Sequence, residues 1–221
     1  MLILGADTSG SNGSVALVEF GAGSPRTLDL VGLQGGTFSA QLVPQISAVL
    51  SKHALRKSQI SGFAVASGPG SFTGLRVGLA AIKALGEILG KPIAAVSLFE
   101  ATARVAGGHG RFLIALDAGR GHIYAGLYQV EPGSAVALDQ QLLSLEELRA
   151  KVEGDRLVTP SPALVEQFPR AILVAQPQAD VIAHLGGEKI GRGEIVAPEI
   201  LDATYVRASD AEIKRTTGRK P

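Results

Sequence analysis

The chain opens on LILGADTSGSNGSVALVEF (2–20) and returns to the same pattern at FLIALDAGRGHIYAGLYQV (112–130). Each copy is an apolar run ended by an aspartate, Asp7 or Asp117, then a glycine-rich turn, then a second strand-like run. A short turn between two such runs predicts a β-hairpin. Two hairpins about half a chain apart predict two related units, and this repeat limits the fold more than any other feature. RTLDLVGL (26–33) and a run at about 135–143 extend each hairpin to a three-strand meander.

The period then changes. Phe38, Leu42, Val43, Ile46, Val49 and Leu50 share one face of a helix over 38–54. Thr37 or Ser39 is its expected cap, and Pro44 is expected to bend it or delay its start. A strand (60–67), a helix (72–89) and a strand (92–97) follow. Ser97 and Glu100 predict a capping box opening a helix to about Val105. AGGHGR (106–111) is the expected boundary. In the second half, Ser144 and Glu147 form another capping box, followed by a strand (157–159), a helix (161–168), a strand (171–175) and a helix (178–186). Residues 187–221 show no clear pattern. From about 208 they read as a mobile tail, whose Lys214, Arg215, Arg219 and Lys220 offer RNA phosphate contact as the alternative. The expectation is an α/β protein with an N-terminal lobe (1–106), a C-terminal lobe (107–221), mixed sheets and a cleft between the lobes.

Composition narrows the function. With 46% hydrophobic and 19% charged residues, 221 residues can bury a sizeable core. Lys and Arg number 21 against 20 Asp and Glu, so no overall field draws nucleic acid. The absence of cysteine removes disulfides, thiolate metal sites and Cys nucleophiles. No run approaches ~18 apolar residues, and the N-terminus reads as a strand rather than a leader. A soluble cytoplasmic protein without membrane association is expected.

SGPGSFTGLRVGLAAIKALGEILG (67–90) is the densest glycine segment. It lacks the Lys-Ser/Thr that a P-loop places after its last glycine, and Thr73 stands where a dinucleotide fingerprint needs its third glycine. Ser71 lies in G-S-F rather than in a nucleophile elbow. Within the helix, Gly74, Gly78, Ile82 and Gly86 recur every four residues. Interior glycines cost roughly 0.5–1 kcal/mol each relative to Ala, which close backbone approach by another element would offset. Apolar residues wrap nearly all round, so the helix is expected to be buried on two sides, by its own chain alone or by its own chain and a partner.

His53, His109, His122 and His184 have no metal-ligand spacing. Asp7 and Asp117 suit either holding turn N–H groups or binding magnesium-phosphate, and Arg120 and Tyr124 flank the second turn. Candidate nucleotide or anion contacts are Asp7, Thr8, Ser9, Gly70, Ser71, Asp117 and Arg120.

ILGADTS, GPGSFTGLRVGLAAIKAL, SLFEA, LDAGRGHIYAGLY and the YVR at 205–207 occur here in the order of one family. In these motifs the chain resembles the TsaB (YeaZ) family of bacterial tRNA threonylcarbamoyladenosine synthesis, a glycoprotease-like (M22 peptidase-like) group. The resemblance implies an actin/Hsp70-like (ASKHA) fold of two ribonuclease-H-like lobes. It implies a non-catalytic scaffold that dimerises with its paralogue TsaD, which transfers the threonylcarbamoyl group to the adenosine beside the anticodon. A homodimer in the absence of TsaD, the ATPase TsaE as third component, and indirect contact with tRNA are implied as well. Mapped here, the partner interface falls on the first two helices, at Phe38, Leu42, Ile46, Val49, Phe72, Gly74, Leu75, Gly78, Ile82 and Gly86.

No resident cofactor is implied, with ATP or ADP an option at the joint interface. TsaD-type chains carry a paired-histidine metal motif in the first helix, whereas TFSAQLVPQIS has no histidine. Phe38-Ser39 stands where related chains often have His-Ser, and Gly119 where they often have Arg. Alternatives are an ATP-binding phosphotransferase of the same fold and, from the older group label, a peptidase, for which neither a metal motif nor a triad is present.

Overall fold

The computed structural model describes residues 1–152, 154–204 and 206. The tail expected from 208, with its basic residues, and Tyr205 and Arg207 of the YVR motif lie outside the described residues.

The repeat becomes two five-stranded sheets of identical topology. In the first, β1 (Leu2–Asp7), β2 (Gly13–Glu19) and β3 (Arg26–Leu33) form the meander. Helix α1 (Phe38–Lys52), β4 (Gly62–Gly68), α2 (Phe72–Leu89), β5 (Ile93–Ser97) and α3 (Leu98–Ala106) follow. The second repeats the order with β6 (Gly110–Gly119), β7 (His122–Glu131), β8 (Ser134–Ser144), α4 (Leu145–Lys151), β9 (Arg156–Thr159), α5 (Pro162–Gln167), β10 (Ile172–Leu173) and α6 (Ala179–Gly191). The sheets run β3-β2-β1-β4-β5 and β8-β7-β6-β9-β10. The first two pairings of each are antiparallel and the last two parallel. This is the ribonuclease-H-like arrangement, present twice as in actin/Hsp70-like folds.

Side-chain alternation sorts each sheet into two faces. Leu4, Ala6, Val15, Leu17, Phe63 and Val65 meet α1 and α2 on the outer face of the first sheet. Leu113, Ala115, Ile123 and Leu157 meet α4 and α5 on the outer face of the second. The inner faces, carrying Ile3, Val18 and Ala64 from one sheet and Phe112, Ile114, Tyr128 and Val158 from the other, share a central core with α3 and α6.

In that core each lobe's last helix serves the other lobe. Helix α3 presses Phe99 onto β7 at Gly126, where an added Cβ would come within 2.9 Å of the ring. Helix α6 lies across β1, β2 and β4 of the first sheet. A Cβ at Gly5 would stand 2.8 Å from the Ala183 Cβ, and one at Gly186 would stand 2.2 Å from the Ala64 Cβ. These seats exist because glycine has no side chain to fill them. Arg104 of α3 holds Glu188 of α6 in a two-point pair at 2.9 and 2.5 Å, and Glu100 meets Lys189 at 3.0 Å.

Several expectations change. Glu100 is used in that ion pair rather than in a capping box, while Ser97 alone caps α3 through the Phe99 amide. Pro44 does not delay α1, which begins at Phe38. Its missing N–H affects the carbonyl of the residue one turn earlier, and both positions face solvent. Helix α6 continues past Gly186 and Gly187 to Gly191, because close packing on Ala64 and Phe20 rewards the absent side chains. The division at 106/107 grouped α6 with the second lobe, whereas it covers the first sheet. The chain then stays with that lobe. Val196 donates to Ile93 O, Leu201 is buried in the α1–α2 core, and Thr204 donates to Ser67 O at 2.7 Å.

Gly186→Val is expected to lower stability by about 1–3 kcal/mol by forcing α6 off Ala64. The measurement is the urea midpoint, with hydrogen exchange rising at β1 and β4 more than at β6.

Candidate functional site

Two concave surfaces could do work. One is the cleft where β1 and β6 end, about 1280 Å³ in volume, lined among others by Asp7, Ser9, Asn12, Asp117, Arg120 and Tyr124. The other is a groove of about 520 Å³ between α1 and α2, lined by Ser39, Leu42, Val43, Phe72, Thr73, Arg76, Val77, Ala80 and Ala81.

At the cleft, the two aspartates do the same local job. Asp7 Oδ1 accepts from the Ser9 amide at 2.9 Å, and Asp117 Oδ1 accepts from the Gly119 amide at 2.7 Å. Each closes an Asx-type turn two residues long. Their surroundings differ. Asp7 is 4% exposed, and burial raises its pKa above the ordinary 3.8 despite the bonds from Ser9. Asp117 is exposed.

Beside Asp7, Thr8 and Ser9 are engaged within the chain. The Ser9 hydroxyl donates to Asp7 at 2.5 Å. The Thr8 hydroxyl donates to Gly74 O at 2.7 Å, and the Ser71 amide donates to Ser9 O at 2.7 Å. Ser71 Oγ caps α2 by accepting from the Gly74 amide. Gly70 lies against Ser9, where an added Cβ would stand 2.6 Å from the carbonyl oxygen. Magnesium-phosphate binding calls for ionised carboxylate oxygens and open turn donors. Of the candidate contacts, Asp7 Oδ1 already accepts twice from Ser9, the Thr8 and Ser9 hydroxyls and the Ser71 amide donate within the chain, and Ser71 Oγ is taken up by the α2 cap. Among the described residues, no group of three or more His, Asp or Glu is placed to hold a metal ion.

In the groove, the helices are as expected but the face is rotated. Phe38, Leu42, Ile46 and Val49 are at most 7% exposed and point into the core of the first sheet, with Leu42 also forming the groove floor. Leu75 and Ile82 are core residues too. The glycine ridge is sealed by the chain itself. Added Cβ atoms would stand 2.0 Å from Thr8 O at Gly74, 2.5 Å from Thr8 Oγ1 at Gly78 and 2.5 Å from Ile93 Cδ1 at Gly86. Glycine at these positions lets α2 lie on β1's turn and on β5; it is not a seat for another molecule. Of the ten residues, Phe72 alone is exposed, at 37%.

The outward surface instead presents Ser39, Val43, Thr73, Arg76 and Ala80, with the Arg76 guanidinium 3.7 Å above the Phe72 ring. Val43 is 53% exposed. The signal for this face lay in α2 itself: apolar and small residues all round imply a second covered side, and Thr73, Val77, Ala80 and Ala81 are spaced to form it.

A family model described as TsaD, tRNA N6-adenosine threonylcarbamoyltransferase, matches residues 36–188. A Bacillus subtilis (strain 168) protein described as tRNA threonylcarbamoyladenosine biosynthesis protein TsaB is 33% identical over 199 residues, 82% of this chain and 85% of that protein. Among solved structures, YeaZ from Pseudomonas aeruginosa superposes with a TM-score of 0.77 at 27% identity, over 92% of this chain and 99% of that one. A second P. aeruginosa structure, an uncharacterized protein with similarity to peptidase YEAZ, gives 0.77 at 25% identity over 93% and 99%. No described helix is long and apolar enough to cross a membrane.

Asp7 also fixes a pH dependence. A carboxyl whose folded pKa lies above its unfolded value favours the fold when protonated. Its stabilising effect is full below pH 3.8, declines as pH rises through the folded value, and is gone above it. Asp7→Asn, which keeps an acceptor for Ser9, is expected to flatten this slope and raise stability at pH 7. Urea midpoints from pH 4 to 8 measure it.

Proposed function

The chain belongs to the TsaB family, and from that membership we propose that it serves tRNA threonylcarbamoyladenosine biosynthesis as a non-catalytic subunit that docks its paralogue TsaD. TsaD is the proposed carrier of threonylcarbamoyl transfer to the adenosine beside the anticodon. This chain supplies a rigid helix pair, contacts tRNA only through the complex, and shares the assembly with the ATPase TsaE.

The observation that carries the reading is the open apolar groove between α1 and α2, with Val43, Phe72 and Ala80 left on its surface. The TsaD family model spans residues 36–188, which include both helices. Two chains built alike can pair the same helices about a pseudo-two-fold axis, each filling the other's groove. Two helices from each chain then form a four-helix layer, with side chains at helix–helix packing distances. A second copy of this chain fits the groove by the same logic, which supports a homodimer when TsaD is absent. The committed hydroxyls of the first turn support a structural role for this chain and favour leaving the transfer chemistry to the paralogue.

The test uses the outward face. Val43→Asp and Ala80→Asp place a charge in the groove without touching the core. Each is expected to weaken association with TsaD by about 2 kcal/mol or more, roughly 30-fold in Kd, measured by calorimetry. Thermal unfolding of the isolated chain should be unchanged. Wild-type binding by both variants, or no association of the wild-type chain, overturns the reading.

A further inference from the structure

We propose that Thr8 is a positioning residue for the docking helix: the first turn of the chain sets where α2 begins, and so fixes the shape of the α1–α2 groove. The inference rests on the docking role proposed above and adds what holds that surface in place.

The observations form a closed set. Thr8 is 2% exposed, and its hydroxyl reaches across to Gly74 O in the first turn of α2 at 2.7 Å. One residue on, the Ser9 carbonyl accepts the amide of Ser71, the helix cap. Asp7 fixes Ser9 from the other side through both its amide and its hydroxyl. The helix is cut to receive this turn, since any Cβ at Gly74 or Gly78 would collide with Thr8.

Two hydrogen bonds and two missing side chains thus tie the turn after β1 to the end of α2 that carries Phe72, Thr73 and Arg76, which are groove residues. Helix ends fray most readily, because their first amides lack partners within the helix. A fixed start therefore matters most at this end of the groove. Packing alone would not need the hydroxyl; a hydrogen bond gives the helix a defined axial position as well as a defined distance from the sheet.

Two substitutions in the full-length chain separate these contributions. Thr8→Val keeps the shape and removes the hydroxyl, while Thr8→Ser keeps the hydroxyl and removes the methyl. With Thr8→Val, amide exchange over 70–78 is expected to quicken about fivefold and TsaD affinity to fall about fivefold, the worth of one buried hydrogen bond. Thr8→Ser should behave as wild type in both. Gln176→Ala, in the cleft wall, should change neither.

Unchanged exchange in Thr8→Val overturns the proposal. Equal damage from both substitutions, or faster exchange with undiminished affinity, overturns it as well. If Thr8→Val does not fold, Thr8→Ala takes its place with the same expected readings, because it differs from Thr8→Ser only by the hydroxyl. Should wild-type chain not bind TsaD at all, the docking role and the positioning of a docking surface fall together. Exchange at 70–78 would then show whether Thr8 still anchors the helix.

Discussion

Everything in this molecule depends on two helices held between two sheets. Helix α3 leaves the first sheet to pack on the second, and α6 leaves the second to pack on the first. Neither lobe has both faces covered by its own elements. The exchange succeeds because glycines at 5, 126 and 186 let helix and sheet approach more closely than side chains would allow. Phe99 and Phe112, both nearly or fully buried, fill the centre of that layer, and burying such a ring contributes about 1.5–3 kcal/mol. The pairs Arg104–Glu188 and Glu100–Lys189 then fix the two helices against each other. They are partly exposed, so their contribution is one of register more than of strength.

The same physical device recurs on the outer face. Helix α2 carries its glycines toward β1's turn and β5, which leaves its apolar outer side for the groove. A helix with ordinary side chains at 74 and 78 would stand farther from the sheet and would lose the Thr8 bond. Close seating and an exposed apolar face are therefore two results of one sequence pattern. The cleft illustrates the converse: in the turn after β1, Thr8 and Ser9 turn their hydroxyls to acceptors of their own chain.

Much of the fold was legible because it rests on local periodicity. The two hairpins, the strand–helix alternation and the Ser144 capping box follow from side-chain spacing and turn chemistry alone. What local pattern could not show was which sheet a helix joins. Nothing in ADVIAHLGGEKIG says that it crosses to the other lobe, and its glycine pair reads locally as a stop. Glu100 was expected to close a capping box with Ser97, and only the tertiary arrangement pairs it with a distant lysine instead. At the groove, the glycine ridge was a sound sign of close approach, but sequence does not say by whom. Burial of Phe38, Leu42, Ile46 and Val49 shows that their own sheet was the neighbour. The outer face was written in the small residues opposite, a weaker signal because Ala and Thr are common on any helix.

The crossing of α6 has a consequence for synthesis. During translation the first sheet emerges complete by Ser97, yet one of its faces waits for residues 179–191, and a segment as late as Thr204 still joins it at Ser67. Until residues 179–191 have been made, the amino-terminal half must persist on the ribosome with Ile3, Val18 and Ala64 uncovered by α6. Such long-range closure slows folding and leaves an apolar sheet face open to premature association. A product truncated before residue 179 would retain every strand of the first sheet and still lack the means to seal it.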